Sequence, residues 1–262
     1  MLGVAGPDLE RAFRRAEGRD RLVVSVALGA LTALSWAQMV APEGGQAGGG
    51  RLAACCGARF GVAFTMWVVM MAGMMIPSVT PMVLAHASIA RRRAAQGAPL
   101  VWSGFFLAGY LLVWCAFSAV AALAQGALFR AALLDARSLS IGPWAGAGVL
   151  LAAGLFQLSP AKDACLAQCR TPLGFFITEW RDGSAGAVVM GLRHGTSCVG
   201  CCWLLMAVLF AVGIMNILWG AALTAFVLAE KILPWRRAVV WSGGAACVAG
   251  AAVLVCRALL AP

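Results

Sequence analysis

The densest concentration of coordinating side chains in this chain is the segment RHGTSCVGCCWLLM, Arg193 to Met206. His194, Cys198, Cys201 and Cys202 stand at i, i+4, i+7 and i+8. A helix presents all four on one face, with neighbours about 5–6 Å apart. Thiolate and imidazole suit Cu(I) or zinc, whereas calcium and magnesium prefer oxygen. A solitary cysteine packs as a small apolar side chain. Three on one face with a histidine, beside Gly195 and Gly200 that admit a second helix, point instead to a metal site.

Two further segments carry soft donors. In MWVVMMAGMMIPSVTPM, Met66, Met70 and Met74 form one i, i+4, i+8 ladder, and Met71 and Met75 form a second beside it. Five of the 11 methionines thus fall within ten residues. Thioethers are uncharged and favour Cu(I), so they sit at membrane depth without the cost of a charged ligand. Methionine is also a common gap-filler, and core packing is an equal reading of this segment alone. Pro77 and Pro81 are expected to interrupt the helix and free backbone carbonyls. In SPAKDACLAQCR, Ser159 followed by Pro160 is a helix-start signal that places Cys165 and Cys169 on one face. Lys162 and Arg170 lie nearby and favour thiolate. His86 is the other histidine and reads as the inner end of a span. Cys55 and Cys56 are an adjacent outer pair, Cys115, Cys247 and Cys256 read as packing, and Glu230 and Lys231 mark an inner helix end.

These segments sit in a chain of 262 residues that is 62% hydrophobic and only 11% charged, with mean hydropathy +0.89. A soluble domain needs about a quarter of its residues charged, so most of this surface must face lipid. Apolar runs of about 20 residues indicate helices rather than the alternating strands of a barrel. The fold class is therefore all-α, a polytopic transmembrane bundle. Spans are expected at about 22–41, 61–86, 100–124, 143–158, 187–212, 214–233 and 238–258, which makes seven; six is the alternative, since the fourth span is short and only Gly213 and Asn216 mark a turn within 187–233. The net charge of +10 forms no single stripe and excludes a nucleic-acid partner. With the N-terminus cytoplasmic, the outer segments hold only Arg51, Arg59, Arg130, Arg137 and Arg257 of the 20 Lys and Arg, which is the positive-inside pattern. Trp36, Trp102, Trp144, Trp180, Trp219, Trp235 and Trp241 fall near the expected interfaces.

The organisation that follows is a basic cytoplasmic segment over 1–21, one membrane domain over 22–258 and a tail over 259–262. The first span lacks a small-x-small cleavage site and reads as a retained signal anchor. The stretch 159–186 is the one long cytoplasmic loop, and the Gly-rich outer loop holds Cys55 and Cys56.

The combination of MWVVMMAGMMIPS, LFQLSPAKDACLAQCRTP, WRDG, GLRHGTSCVGCCWLLMAVLFAVGIMNILW and the later EK pair resembles a bacterial family of predicted metal-binding integral membrane proteins. That family is labelled a domain of unknown function (DUF2182) and is similar to a copper chaperone for polyphenol oxidase. The resemblance covers about residues 64–235. It implies copper handling and delivery to a copper enzyme.

The function expected from both lines is Cu(I) binding for copper delivery or transport, without catalysis, in the bacterial inner membrane. The expected metal ligands are His194, Cys198, Cys201, Cys202, Cys165, Cys169, Met70, Met71, Met74, Met75 and His86. Zinc or haem are the alternative cofactors, since His86 and His194 fall on the same predicted side and suit axial ligation. The expected partners are the lipid bilayer and a copper-requiring enzyme or soluble copper carrier. Two other functions fit the residues: a membrane thiol–disulfide oxidoreductase using Cys201–Cys202 or Cys165–Cys169, and a non-catalytic helical scaffold subunit.

Overall fold

The structure, a computed structural model, describes residues 7–40, 60–135, 139–214 and 216–260. The loop with Cys55 and Cys56, expected on the outer side, lies outside the described residues, as do 1–6 and 261–262. Among the described residues the chain is helical: α1 Pro7–Val40, α2 Phe60–Ala94, α3 Gly104–Arg130, α4 Pro143–Gln157, α5 Pro160–Arg170, α6 Pro172–Glu179, α7 Gly183–Val212, α8 Ile217–Ile232 and α9 Arg236–Leu260. Local signals explain the boundaries. Proline opens α4, α5 and α6 at the position where its missing N–H costs nothing. Ser159 caps α5 by accepting from the Lys162 amide at 3.2 Å. Gly213, at φ +99°, turns the chain out of α7 where an L side chain would be strained, and Asn216 caps α8 through Oδ1.

Five of these helices contain segments long and apolar enough to cross a membrane: Leu22–Met39, Phe60–Ala94, Gly104–Arg130, Gly183–Val212 and Arg236–Leu260. α4 and α5 pass the same test only as a pair bent by 65°. α8 is 16 residues long, and the segment 159–186 contains α5 and α6 as well as the start of α7, where the sequence predicts a loop.

α3 and α7 cross at backbone contact. A Cβ on Gly109 would collide with the Val188 carbonyl oxygen, and one on Gly191 with that of Phe106. Glycine at both positions is what permits the approach, and it sets Phe106 and Tyr110 beside the coordinating face of α7. α2 fills the interior, burying Trp67, Met70, Met71, Met74 and Met75, while Trp67 Nε1 donates to Gln125 Oε1 of α3 at 2.7 Å.

The expectation that Pro77 and Pro81 interrupt α2 does not hold, because the helix runs through both. Pro77 cannot donate to the Gly73 carbonyl one turn earlier. Trp36 of α1 donates its indole N–H there instead, at 3.3 Å. Of the tryptophans placed at interfaces, Trp102, Trp144, Trp219, Trp235 and Trp241 are exposed, whereas Trp180 packs inward on His86.

Candidate metal centre

The apolar runs do not indicate which face of each helix points inward; packing decides it. On α5 the buried face is Lys162, Leu166 and Cys169, residues i, i+4 and i+7. α7 turns His194, Cys198, Cys201 and Cys202 inward. Where the two faces meet, the sulfurs of Cys169, Cys198 and Cys201 lie within 4.8 Å of one another, and all three residues are buried. The two motifs thus converge, although 29 residues separate Cys169 from Cys198. Gly200 lets α5 come this close, since a Cβ there would stand 2.9 Å from the Cys165 sulfur.

The other expected ligands surround this trio in distinct ways. Cys202 lies against Cys198 and Cys201, and the Sγ atoms of Cys202 and Cys201 donate to the Cys198 carbonyl at 3.0 and 3.1 Å. Cys165 is half-buried, its sulfur set against Gly200 of α7. His194 is buried among Phe106, Tyr110 and Phe175, with ring centroids 5.5–6.0 Å away, and its Nδ1 has no hydrogen-bond partner among the described residues. His86 is separate from the thiols, stacked on Phe106 and Trp180 with Nδ1 2.9 Å from Ser103 Oγ. Met75 approaches through polar neighbours. Its carbonyl accepts from Ser78 at 2.9 Å and from Tyr110 at 3.4 Å, and its sulfur is 4.0 Å from Ser78 Oγ.

Three residues of the site are missing from the sequence reading. Lys231 Nζ is 3.0 Å from Cys198 Sγ and 3.0 Å from Ser78 Oγ, and Tyr110 Oη is 3.1 Å from the same sulfur. Lys231 belongs to the pair taken as a helix-end marker. It does lie in the last turn of α8, but it is 8% exposed and turned inward. Lys162 and Arg170, the cations expected beside the thiols, are engaged elsewhere. Lys162 donates to Gln157 and to both carboxylate oxygens of Glu230, at 2.8 and 2.9 Å. Arg170 donates to the backbone carbonyls of Glu230 and Leu233. The buried signal was present in the sequence as an EK pair inside an apolar run, since an ionisable residue at such depth needs a partner.

Between α5, α6 and α7, a cavity of about 780 Å³ is lined by Gln168, Arg170, Phe175, Arg193, Ser197 and their neighbours. Gln168 and Arg170 flank Cys169 in the chain. The donor set itself is soft, buried and convergent, and no carboxylate belongs to the cluster found among the described residues. That chemistry fits Cu(I) or another thiophilic ion and does not fit magnesium or calcium.

No curated protein and no solved structure matches the chain. A family model, PpoB2, described as a copper chaperone, matches residues 64–254. The match takes in all three clustered cysteines, Ser78, Tyr110 and Lys231. It spans well over half of the 262 residues, and the chain belongs to this copper chaperone family.

Proposed function

We propose that this is a multi-pass protein of the bacterial inner membrane that binds Cu(I) at Cys169, Cys198 and Cys201 and passes it on. The observation that carries the proposal is the convergence of those three sulfurs within 4.8 Å, supplied by two separate helices. It acts as a carrier of copper rather than as an enzyme. Cys165, half-buried and one helical turn before Cys169, is the capture thiol. Cys202 and His194 are the adjoining donors within α7. The buried thioethers Met70, Met71, Met74 and Met75 form the onward path, since neutral soft ligands exchange an ion without trapping it. His86, closed in by rings, stands outside this set.

In this reading the N-terminus is cytoplasmic, 1–21 is a basic segment and 22–258 is one membrane domain followed by the tail 259–262. α4 with its bent continuation, and α8, are the two shorter crossings that bring the spans to seven. The concentration of Lys and Arg on alternate segments supports the orientation. The partners are a soluble copper carrier on the cytoplasmic side or a copper-requiring enzyme.

The test is the metal content, by inductively coupled plasma mass spectrometry, of protein purified from copper-supplemented cells. The comparison is the triple variant Cys169→Ser, Cys198→Ser, Cys201→Ser. Near-stoichiometric copper lost in the variant is expected. A copper-free wild-type protein overturns the reading. It would leave thiol–disulfide exchange by the same free thiols as the second reading, which a trapped mixed disulfide would support.

A further inference from the structure

Lys231 is a buried cation whose recorded side-chain partners are a hydroxyl and a thiol. Its ammonium meets Ser78 Oγ and Cys198 Sγ, each at 3.0 Å. The nearest carboxylate along the chain, Glu230, is already engaged by Lys162 and Gln157. A buried ammonium is costly without an opposing charge. Here the group on offer is a sulfur of the candidate metal centre. That sulfur is also met by Tyr110 Oη at 3.1 Å, and Cys201 and Cys202 donate to the backbone carbonyl of the same residue.

We propose that Lys231 is the built-in countercharge of the thiol centre. It holds Cys198 Sγ in its binding position and offsets the negative charge that a Cu(I)–thiolate complex brings into an apolar bundle. The inference rests on the copper-binding reading above and adds a positioning residue to it. Two or three thiolates around one monovalent ion leave an excess of negative charge, which a low-dielectric interior tolerates poorly. Lys231 is the cation placed to offset that excess. Ser78 fixes the other side of the ammonium, and Ser78 itself sits one turn from the methionine ladder, on the Met75 carbonyl at 2.9 Å. The countercharge is therefore held between the thiols and the thioethers.

The test titrates Cu(I) into the purified full-length protein in detergent, in competition with a chromophoric Cu(I) chelator. Wild type is compared with Lys231→Met, Lys231→Arg and Cys198→Ser, and copper X-ray absorption reports the ligand atoms. Lys231→Met is expected to keep sulfur ligation while losing roughly 10–100-fold in affinity, the usual effect of removing a group that supports a metal ligand. Lys231→Arg restores the charge and is expected to stay within about threefold of wild type, a rescue that a packing role would not give.

Wild-type affinity in Lys231→Met overturns the proposal. So does a folded Lys231→Arg protein that loses roughly tenfold or more against wild type, a comparison that needs no folded Lys231→Met. If the wild-type protein does not take up Cu(I), the copper reading fails and this inference with it. If wild type and Lys231→Met bind equally while Cys198→Ser does not, only this inference fails.

Discussion

Lys162 and Glu230 form an ion pair with almost no solvent exposure, the ammonium lying 2.8 and 2.9 Å from the two carboxylate oxygens. The pair joins α5 to the end of α8, and Gln157 at the end of α4 completes it by donating to Glu230 at 3.0 Å. Lys162 lies two turns before Cys169 on the same buried face. The clamp therefore holds the helix that delivers one thiol of the centre, and the next residue of α8 after Glu230 is Lys231, which contacts another.

Breaking this pair on one side should cost about 3–5 kcal/mol, because the remaining buried charge is left without a partner. Glu230→Ala is expected to lower the thermal midpoint in detergent and to speed maleimide labelling of Cys169. The double variant Lys162→Met, Glu230→Leu removes both charges and should recover most of the stability. A double variant as unstable as the single one would show that the pair is not what α5 depends on.

The α3–α7 crossing makes a second, steric prediction. A Cβ on Gly191 meets the Phe106 backbone oxygen, which has no room to give. Gly191→Ala should destabilise by ~1–3 kcal/mol as an overpacked contact and displace Tyr110 from Cys198. Gly148 of α4 is the control, since a Cβ there meets nothing within 4 Å. Gly148→Ala should leave stability within ~1 kcal/mol of wild type. Equal unfolding free energies for the two variants would argue against the close crossing.

Trp36 and Pro77 are coupled through one carbonyl. Trp36→Phe removes the donor to Gly73 O and should cost about 1–3 kcal/mol for the acceptor left unsatisfied. Pro77→Ala supplies the missing helical N–H, so Trp36→Phe should cost much less in that background. A double-mutant cycle of unfolding free energies measures the difference. A cycle that closes to zero would mean that the indole does not substitute for the lost helical bond.

How much of this was legible in sequence differs by element. The inward face of α7 follows from the spacing of His194, Cys198, Cys201 and Cys202, because a 3.6-residue period leaves them one side to occupy. Ser159 and Pro160 likewise announce α5, although the surrounding polarity reads as a loop. The meeting of Cys169 with Cys198 is tertiary, and no local pattern encodes it. The same holds for the polar shell. Lys231 is 33 residues from Cys198 and 153 from Ser78, and Tyr110 is 88 from Cys198. In a helix that is apolar all round, periodicity does not distinguish the lipid face from the buried one. That is why Tyr110 and Ser78 gave no signal, and why Lys231 read as a helix end.

Substitutions in the methionine ladder would distinguish binding from onward movement. Met70, Met71, Met74 and Met75 are all buried, and Met75 is linked by Ser78 to the ammonium that touches Cys198. Leucine matches methionine closely in volume, and a Met→Leu exchange in a core usually costs less than ~1.5 kcal/mol. The quadruple Met→Leu variant should therefore remain folded if spread over a helix this well packed. It also removes every thioether from this segment except Met66 and Met82. Copper stoichiometry at the thiol centre is expected to stay near the wild-type value, since none of the three clustered sulfurs changes. Movement of Cu(I) across vesicles containing the protein, or transfer from the loaded protein to an external chelator, should slow at least tenfold. Transfer at the wild-type rate would assign the methionines to packing alone and leave the thiols to release copper directly through the cavity beside Gln168 and Arg170.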